Sequence, residues 1–174
     1  MAVSFDWRIA PLLVVLLACS PALDWRDVRV DGAGLAGLFP CRPERRARSV
    51  PVAGANVRME MVACAAGGST FAASFVDLED PATVTAALEA LRGTAVANLG
   101  AVAPRQLPFA LGGMTPNAAS ARLVIAGRLP DGTPVQEHAA FFVRGLRVYQ
   151  ASVIGREPSR DAVEAFLGGL KFAS

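Results

Sequence analysis

Glycine-centred turns cut this chain into short alternating runs, and that limits its fold more than any other feature. The run Val57 to Cys64 shows it best: Val57, Met59 and Met61 alternate with Arg58 and Glu60. A period of two is that of a strand with one buried face. Turn signals sit on either side, at Ala53-Gly54-Ala55-Asn56 and at Gly67-Gly68. The same grammar predicts strands at Trp25 to Val30, Leu35 to Phe39, Arg46 to Val52 and Thr70 to Leu78. The first of these ends at Asp31-Gly32, and Pro40 and Pro43 stop the second. Phe71, Ala73 and Phe75 share one face of the last. Further on come Ala121 to Leu129, Val135 to Val143 and Leu146 to Ile154, joined at Asp131-Gly132 and Arg144-Gly145. Asp-Gly is a strong hairpin signal.

Only two stretches break the period of two in favour of helical spacing. Asp80-Pro81 supplies an N-cap and a first-turn proline. Val84, Leu88, Leu91, Ala95 and Leu99 then follow on one stripe until Gly100. Ser159 caps a last helix whose Val163, Phe166, Leu167 and Leu170 form a second stripe. Between the two, Ala103 to Pro116 is rich in Pro and Gly and reads as a long loop. No repeat or low-complexity linker divides the chain. The expectation is one α+β domain over residues 24–174, with a mostly antiparallel sheet flanked by two main helices.

The start of the chain carries different information. Arg8 precedes an apolar run from Ile9 to Ala18, which is long enough for a signal sequence and too short to span as a helix. Leu16-Leu17-Ala18-Cys19 resembles the lipobox of bacterial lipoproteins, cut just before a cysteine that takes up diacylglycerol. The resemblance implies a signal peptide at 1–18, a lipid on Cys19 and a tether at 19–23. Ser20, where an Asp would retain the protein at the inner membrane, implies sorting to the outer membrane, facing the periplasm. Two other readings stay open: ordinary cleavage after Ala22, and a buried N-terminal helix of a cytosolic protein. Each acyl CH₂ buried in lipid contributes about 0.8 kcal/mol, so two or three chains would anchor the protein essentially permanently.

Cysteine count agrees with export. Of three cysteines, removing Cys19 leaves Cys41 and Cys64 as a pair, and disulfides persist in oxidising compartments. If the 46–52 and 57–63 strands turn about residues 54–55, position 64 lies across from about 45. Cys41 then falls at the same end of the sheet. The alternative is two buried free thiols. No Cys-x-x-Cys is present for redox catalysis.

The domain also resembles small secreted PsbP-like domains. Gly34-Leu35-Ala36-Gly37-Leu38-Phe39-Pro40 followed by Pro43 is similar to their opening strand. Arg147-Val148-Tyr149-Gln150 through Gly155 is similar to their late strand, and Phe166-Leu167 with Leu170-Lys171-Phe172 to their closing helix. The likeness spans residues 31–173 and departs from the pattern at Cys41, where glycine is commoner. It implies an α/β/α sandwich and a habit of assisting other proteins, and brings no catalytic residue with it.

Charge and motifs narrow the function. Net charge is +2, too small to make nucleic acid the default partner. Arg42, Arg45, Arg46 and Arg48 form a local basic cluster, relieved only by Glu44. It reads either as a charged guard on an edge strand or as a contact for anionic lipid headgroups or an acidic envelope protein, with Arg26 and Arg29 as candidate additions. Asp77, Glu79 and Asp80 read as helix-start acids and lack a calcium-loop spacing. Gly32-Ala33-Gly34-Leu35-Ala36-Gly37 matches G-x-G-x-x-G, but Pro40 and Pro43 deny it the helix the fingerprint needs. His138, the one histidine, has no metal-spaced or triad partner, and there is no G-x-S-x-G. Tyr149, Phe141 and Phe142 read as core.

No catalytic residue, metal site or cofactor is therefore assigned. The expected function is a non-catalytic, membrane-anchored binding or assembly-assisting module of the cell envelope. The alternatives are a carrier or sensor of a small apolar ligand held between the sheet and the loop at 103–116, and an enzyme using Asp77 or Glu79 as acid or base.

Overall fold

The computed structural model describes residues 23–173. The expected signal peptide at 1–18 and the expected lipid site Cys19 lie outside the described residues. The strands are β1 (Arg26–Val30), β2 (Leu35–Phe39), β3 (Glu44–Val52), β4 (Ala55–Ala66), β5 (Ser69–Asp77), β6 (Arg105–Leu107), β7 (Ala121–Arg128), β8 (Pro134–Arg144), β9 (Arg147–Gly155) and β10 (Lys171–Phe172). Helix α1 is Val84–Asn98 and α2 is Arg160–Gly168. The class is α+β, and every strand pair in it is antiparallel.

One sheet was expected, and there are two. Seven strands form the main sheet in the order β3-β4-β5-β9-β8-β7-β6, and β1-β2-β10 form a separate small one. The chain breaks between β2 and β3 at Pro40 and Pro43, where the missing N–H groups end pairing. The closing helix is shorter than expected: it ends at Gly168, and Lys171–Phe172 forms β10, paired with β2. The long loop also differs from expectation. Arg105–Leu107 adds an edge strand beside β7, while Phe109, Leu111 and Met114 pack against the core.

Both faces of the main sheet are covered. On one, Phe71, Phe75, Phe142, Tyr149 and Val153 meet α2 and the small sheet, with Phe39 and Phe166 buried between them. The rings interlock edge-to-face: Phe39 and Phe166 centroids are 5.0 Å apart, Phe71 and Phe166 5.5 Å. Such pairs add about 0.5–1.5 kcal/mol beyond their buried area. On the other face, α1 lays Val84, Ala87, Leu88, Leu91 and Ala95 over Val76, Ile125, Phe141, Val143 and Val148. Strand β8 therefore reads as an unbroken apolar run from Ala139 to Val143, because neither face sees water there.

Helix α1 is preceded by a 3-10 turn, Pro81–Thr83, capped by the Asp80 carboxylate, which accepts from the Ala82 N–H at 2.8 Å. At its other end the Leu99 carbonyl accepts from the Arg128 N–H at 2.9 Å. That contact needs Gly127, where a Cβ would overlap the Leu99 carbonyl oxygen. Gly93, in the exposed interior of α1, has open space around its Cα. Gly127→Ala is therefore expected to destabilise by about 2 kcal/mol or more, and Gly93→Ala to stabilise by about 0.8 kcal/mol. Urea denaturation of the two variants checks both signs.

Candidate functional site

The Cys41–Cys64 disulfide closes one end of the main sheet, with Cα atoms 5.9 Å apart. The hairpin turns at Ala53-Gly54, so Val52 faces Ala55 and Glu44 faces Ala63. Position 64 thus lies one step beyond the last β3–β4 pair and not across from 45; the turn sits one residue earlier than the spacing suggested. Cys41 comes back to it because Pro40 and Pro43 bend the chain there. The first described residues also lie at this end. The Asp24 N–H donates to the Pro40 carbonyl at 2.8 Å, and Leu23 packs on the aromatic core.

Strand alternation divides the four candidate arginines. Arg45 pairs in register with Val62, on the face of the small sheet, whereas Arg46 and Arg48 pair with Met61 and Met59, on the face of α1. Arg45 donates to the Asp31 carbonyl and lies 3.9 Å from Glu60. Arg46 pairs with Glu44 at 3.0 Å. Arg42, Arg45, Arg26 and Arg29 line a cleft of about 300 Å³ between β1 and β3. Arg42 and Arg46 line a second, of about 510 Å³, over Met61, Ala63 and the disulfide. Arg26 and Arg29 do join the cluster, then, on one side of the edge only.

Residues 24–62 carry Arg26, Arg29, Arg42, Arg45, Arg46, Arg48 and Arg58 against Asp24, Asp27, Asp31, Glu44 and Glu60. From residue 63 onward the charges cancel, nine cations against nine acids. The whole excess positive charge lies along this edge. Among the described residues, Arg29, Arg42 and Arg48 have no carboxylate at ion-pair distance.

The acids at the opposite end of the sheet are occupied structurally. Asp77 is not a helix-start acid. It takes Arg147 in a two-pronged pair, Nε to Oδ1 at 2.5 Å and Nη2 to Oδ2 at 2.7 Å. Arg147 also donates to the Gly32 carbonyl and lies over the Phe75 ring at 4.6 Å. The buried Tyr149 hydroxyl donates to the Ala33 carbonyl at 2.6 Å. The glycine-rich turn at 31–34 is thereby pinned to the main sheet by its carbonyls, and its glycines serve the turn: Gly32 and Gly34 have φ of 74° and 62°. Asp80 caps, and Glu79 alone of the three stands exposed without such a role, beside an open cleft of about 440 Å³. No cluster of three or more His, Cys, Asp or Glu able to hold a metal occurs among the described residues.

Sequence patterning missed Glu137. It lies on β8 next to His138, and alternation points the two to opposite faces. Burial pushes the Glu137 carboxyl up, against hydrogen bonds from Ser152 and Gln150. Burial also pushes His138 down, aided by the Arg122 charge and opposed by Glu164. His138 Nε2 bonds Gln136 Oε1 at 2.8 Å, and its buried Nδ1 has no partner. Arg122 is committed to Glu164 at 2.7 and 3.0 Å, tying α2 to the sheet. A lone acid inside a strand run gives no pattern to detect; only the third dimension buries it. The chain matches no protein-family model and no curated protein.

Three outcomes are expected. Replacing Cys41 and Cys64 together with Ala costs about 3 kcal/mol for a loop of this length, read by denaturation with and without reductant. The neutral form of His138 is favoured in the fold, so its stabilising contribution is complete above about pH 6.5 and is lost as pH falls below it; His138→Gln flattens that decline. Glu137 has the opposite sign: its contribution is complete below pH 4.5 and is lost as pH rises through the raised value. Glu137→Gln accordingly raises stability at neutral pH, measured as the urea midpoint across pH.

Proposed function

We propose that this chain is a lipoprotein anchored in the outer membrane and facing the periplasm. In this reading its folded body is a non-catalytic binding or assembly-assisting module of the cell envelope. The observation that carries the proposal is the lipobox-like Leu16-Leu17-Ala18-Cys19, placed four residues before the body begins at Leu23. The Cys41–Cys64 bond supports an oxidising compartment. Among the described residues no helix is long and apolar enough to cross a membrane, so a tether through Cys19 is the attachment this reading requires.

The PsbP-like assignment belongs to the same proposal. The layering of α1, a seven-stranded sheet and α2 supports it, since an α/β/α sandwich is what the resemblance implies. Binding is preferred to catalysis because Asp77 and Asp80 are consumed by Arg147 and by helix capping, which leaves Glu79 without a partner acid or base. The apolar-carrier alternative is less favoured, because Phe109 packs on Phe142 at a tilt with centroids 5.4 Å apart and Met114 packs against the same core.

Intact-mass analysis of the protein extracted from membranes tests the proposal. The expected species lacks residues 1–18 and carries acyl chains on Cys19, and Cys19→Ser removes that mass. An untrimmed chain in the cytosol with Cys41 and Cys64 reduced overturns the reading.

A further inference from the structure

The basic edge and the first described residues lie at one corner of the body. Asp24 is bonded to Pro40, and Arg42 follows two residues after Pro40. Arg42 lines both basic clefts, sharing one with Arg29 and the other with Arg46. All three side chains belong to exposed residues. The net charge of +2 lies wholly in residues 24–62.

On the tethered reading, Cys19 is fixed in the bilayer and Leu23 is in the body, four residue steps away. A fully extended chain of that length spans about 14 Å at most, and the Debye length at physiological ionic strength is about 8 Å. The corner that holds Arg42 therefore stays within about two Debye lengths of the surface even with the tether fully stretched, and inside one whenever the tether is slack. We propose that the edge formed by β1 and β3 is a docking surface for anionic lipid headgroups of the leaflet that holds the anchor, with Arg29 and Arg42, unpaired among the described residues, and Arg46, exchanging its exposed Glu44 partner, meeting the phosphates. Docking there lays β3, the free edge of the main sheet, against the membrane and leaves the opposite edge, β6 and β7, facing the periplasm.

Free arginine edges commonly serve only to discourage strand pairing. That role is met by charge at any place along an edge and does not call for the excess to collect beside the tether. An acidic protein segment has the same charge complementarity, but the short tether brings the lipid surface to this corner and nothing comparable brings a protein.

The inference rests on the tethered reading, and the experiment keeps the two apart. The full chain carrying Cys19→Ser is titrated onto vesicles of phosphatidylcholine alone and of phosphatidylcholine with phosphatidylglycerol. The apolar leader partitions into both, so the quantity read is the ratio of the two affinities. At low salt the expected preference for anionic vesicles is about a hundredfold, three arginines at about fivefold each. It should collapse toward one at high salt and in the Arg29→Gln, Arg42→Gln, Arg46→Gln variant. Arg105→Gln with Arg128→Gln, on the opposite edge, should retain it. A ratio near one in the parent chain overturns the proposal even if Cys19 is shown to carry lipid. So does loss of preference in the opposite-edge variant alone, and so does retention on immobilised polyglutamate with no vesicle preference. Persistence of the preference when the native protein has no lipid on Cys19 keeps the docking edge and removes the tether.

Discussion

The structure depends on a sheet whose central strands have no face left for water. Val76 on β5, Phe141, Phe142 and Val143 on β8, and Val148 and Val153 on β9 are all fully buried. Each strand therefore needs cover on both sides. Phe-rich packing by α2 and the small sheet meets one side, and an Ala- and Leu-lined helix meets the other. Charged side chains are mostly driven to the ends and edges of the sheet, and the buried Ser74 of β5 is satisfied by the Gln150 carbonyl, because an uncompensated polar group in such an interior costs on the order of 1–3 kcal/mol. Glu137 is the buried acid among the described residues, and burial pushes its carboxyl pKa up.

That segregation divides the surface into regions with different work. The end with Asp77 and Arg147 holds the small sheet to the large one through two backbone carbonyls, Gly32 and Ala33, taken by Arg147 and Tyr149. Asp77 looks like a candidate acid in the sequence and serves as a fastener in the fold. The other end holds the disulfide and the first described residues. Between them, the β1–β3 edge carries the excess positive charge, and the proposed docking surface follows from where that charge lies relative to the proposed tether.

Much of the fold was legible because its signals are local. The period of two over Val57 to Cys64, the Asp-Gly and Gly-Gly turns and the Asp80-Pro81 helix start each act within a few residues, and each became the expected element. The Cys41–Cys64 pairing was legible through the odd count of cysteines. Its register was not: a turn at Ala53-Gly54 instead of 54–55 moves the partner of position 64 by two residues, since a hairpin doubles any shift of its axis. The Arg cluster was legible as a run but not as a surface. Alternation sends Arg45 to one face and Arg46 and Arg48 to the other, while Arg29 arrives from a different sheet.

The sequence by itself determined the two helices and every strand except the short β6 and β10, the α+β class and the even cysteine pair, because backbone propensity and side-chain period are properties of neighbours along the chain. Only the tertiary structure decided that Leu35 to Phe39 belongs to a second sheet, that Asp77 is held by Arg147, that Phe109 and Met114 fill the space beneath the long loop, and that Glu137 is buried. Those outcomes depend on which surfaces are left uncovered once the sheet has formed. Contacts across separations such as Arg147 to Gly32, 115 residues apart, leave no periodic trace in the order of the amino acids.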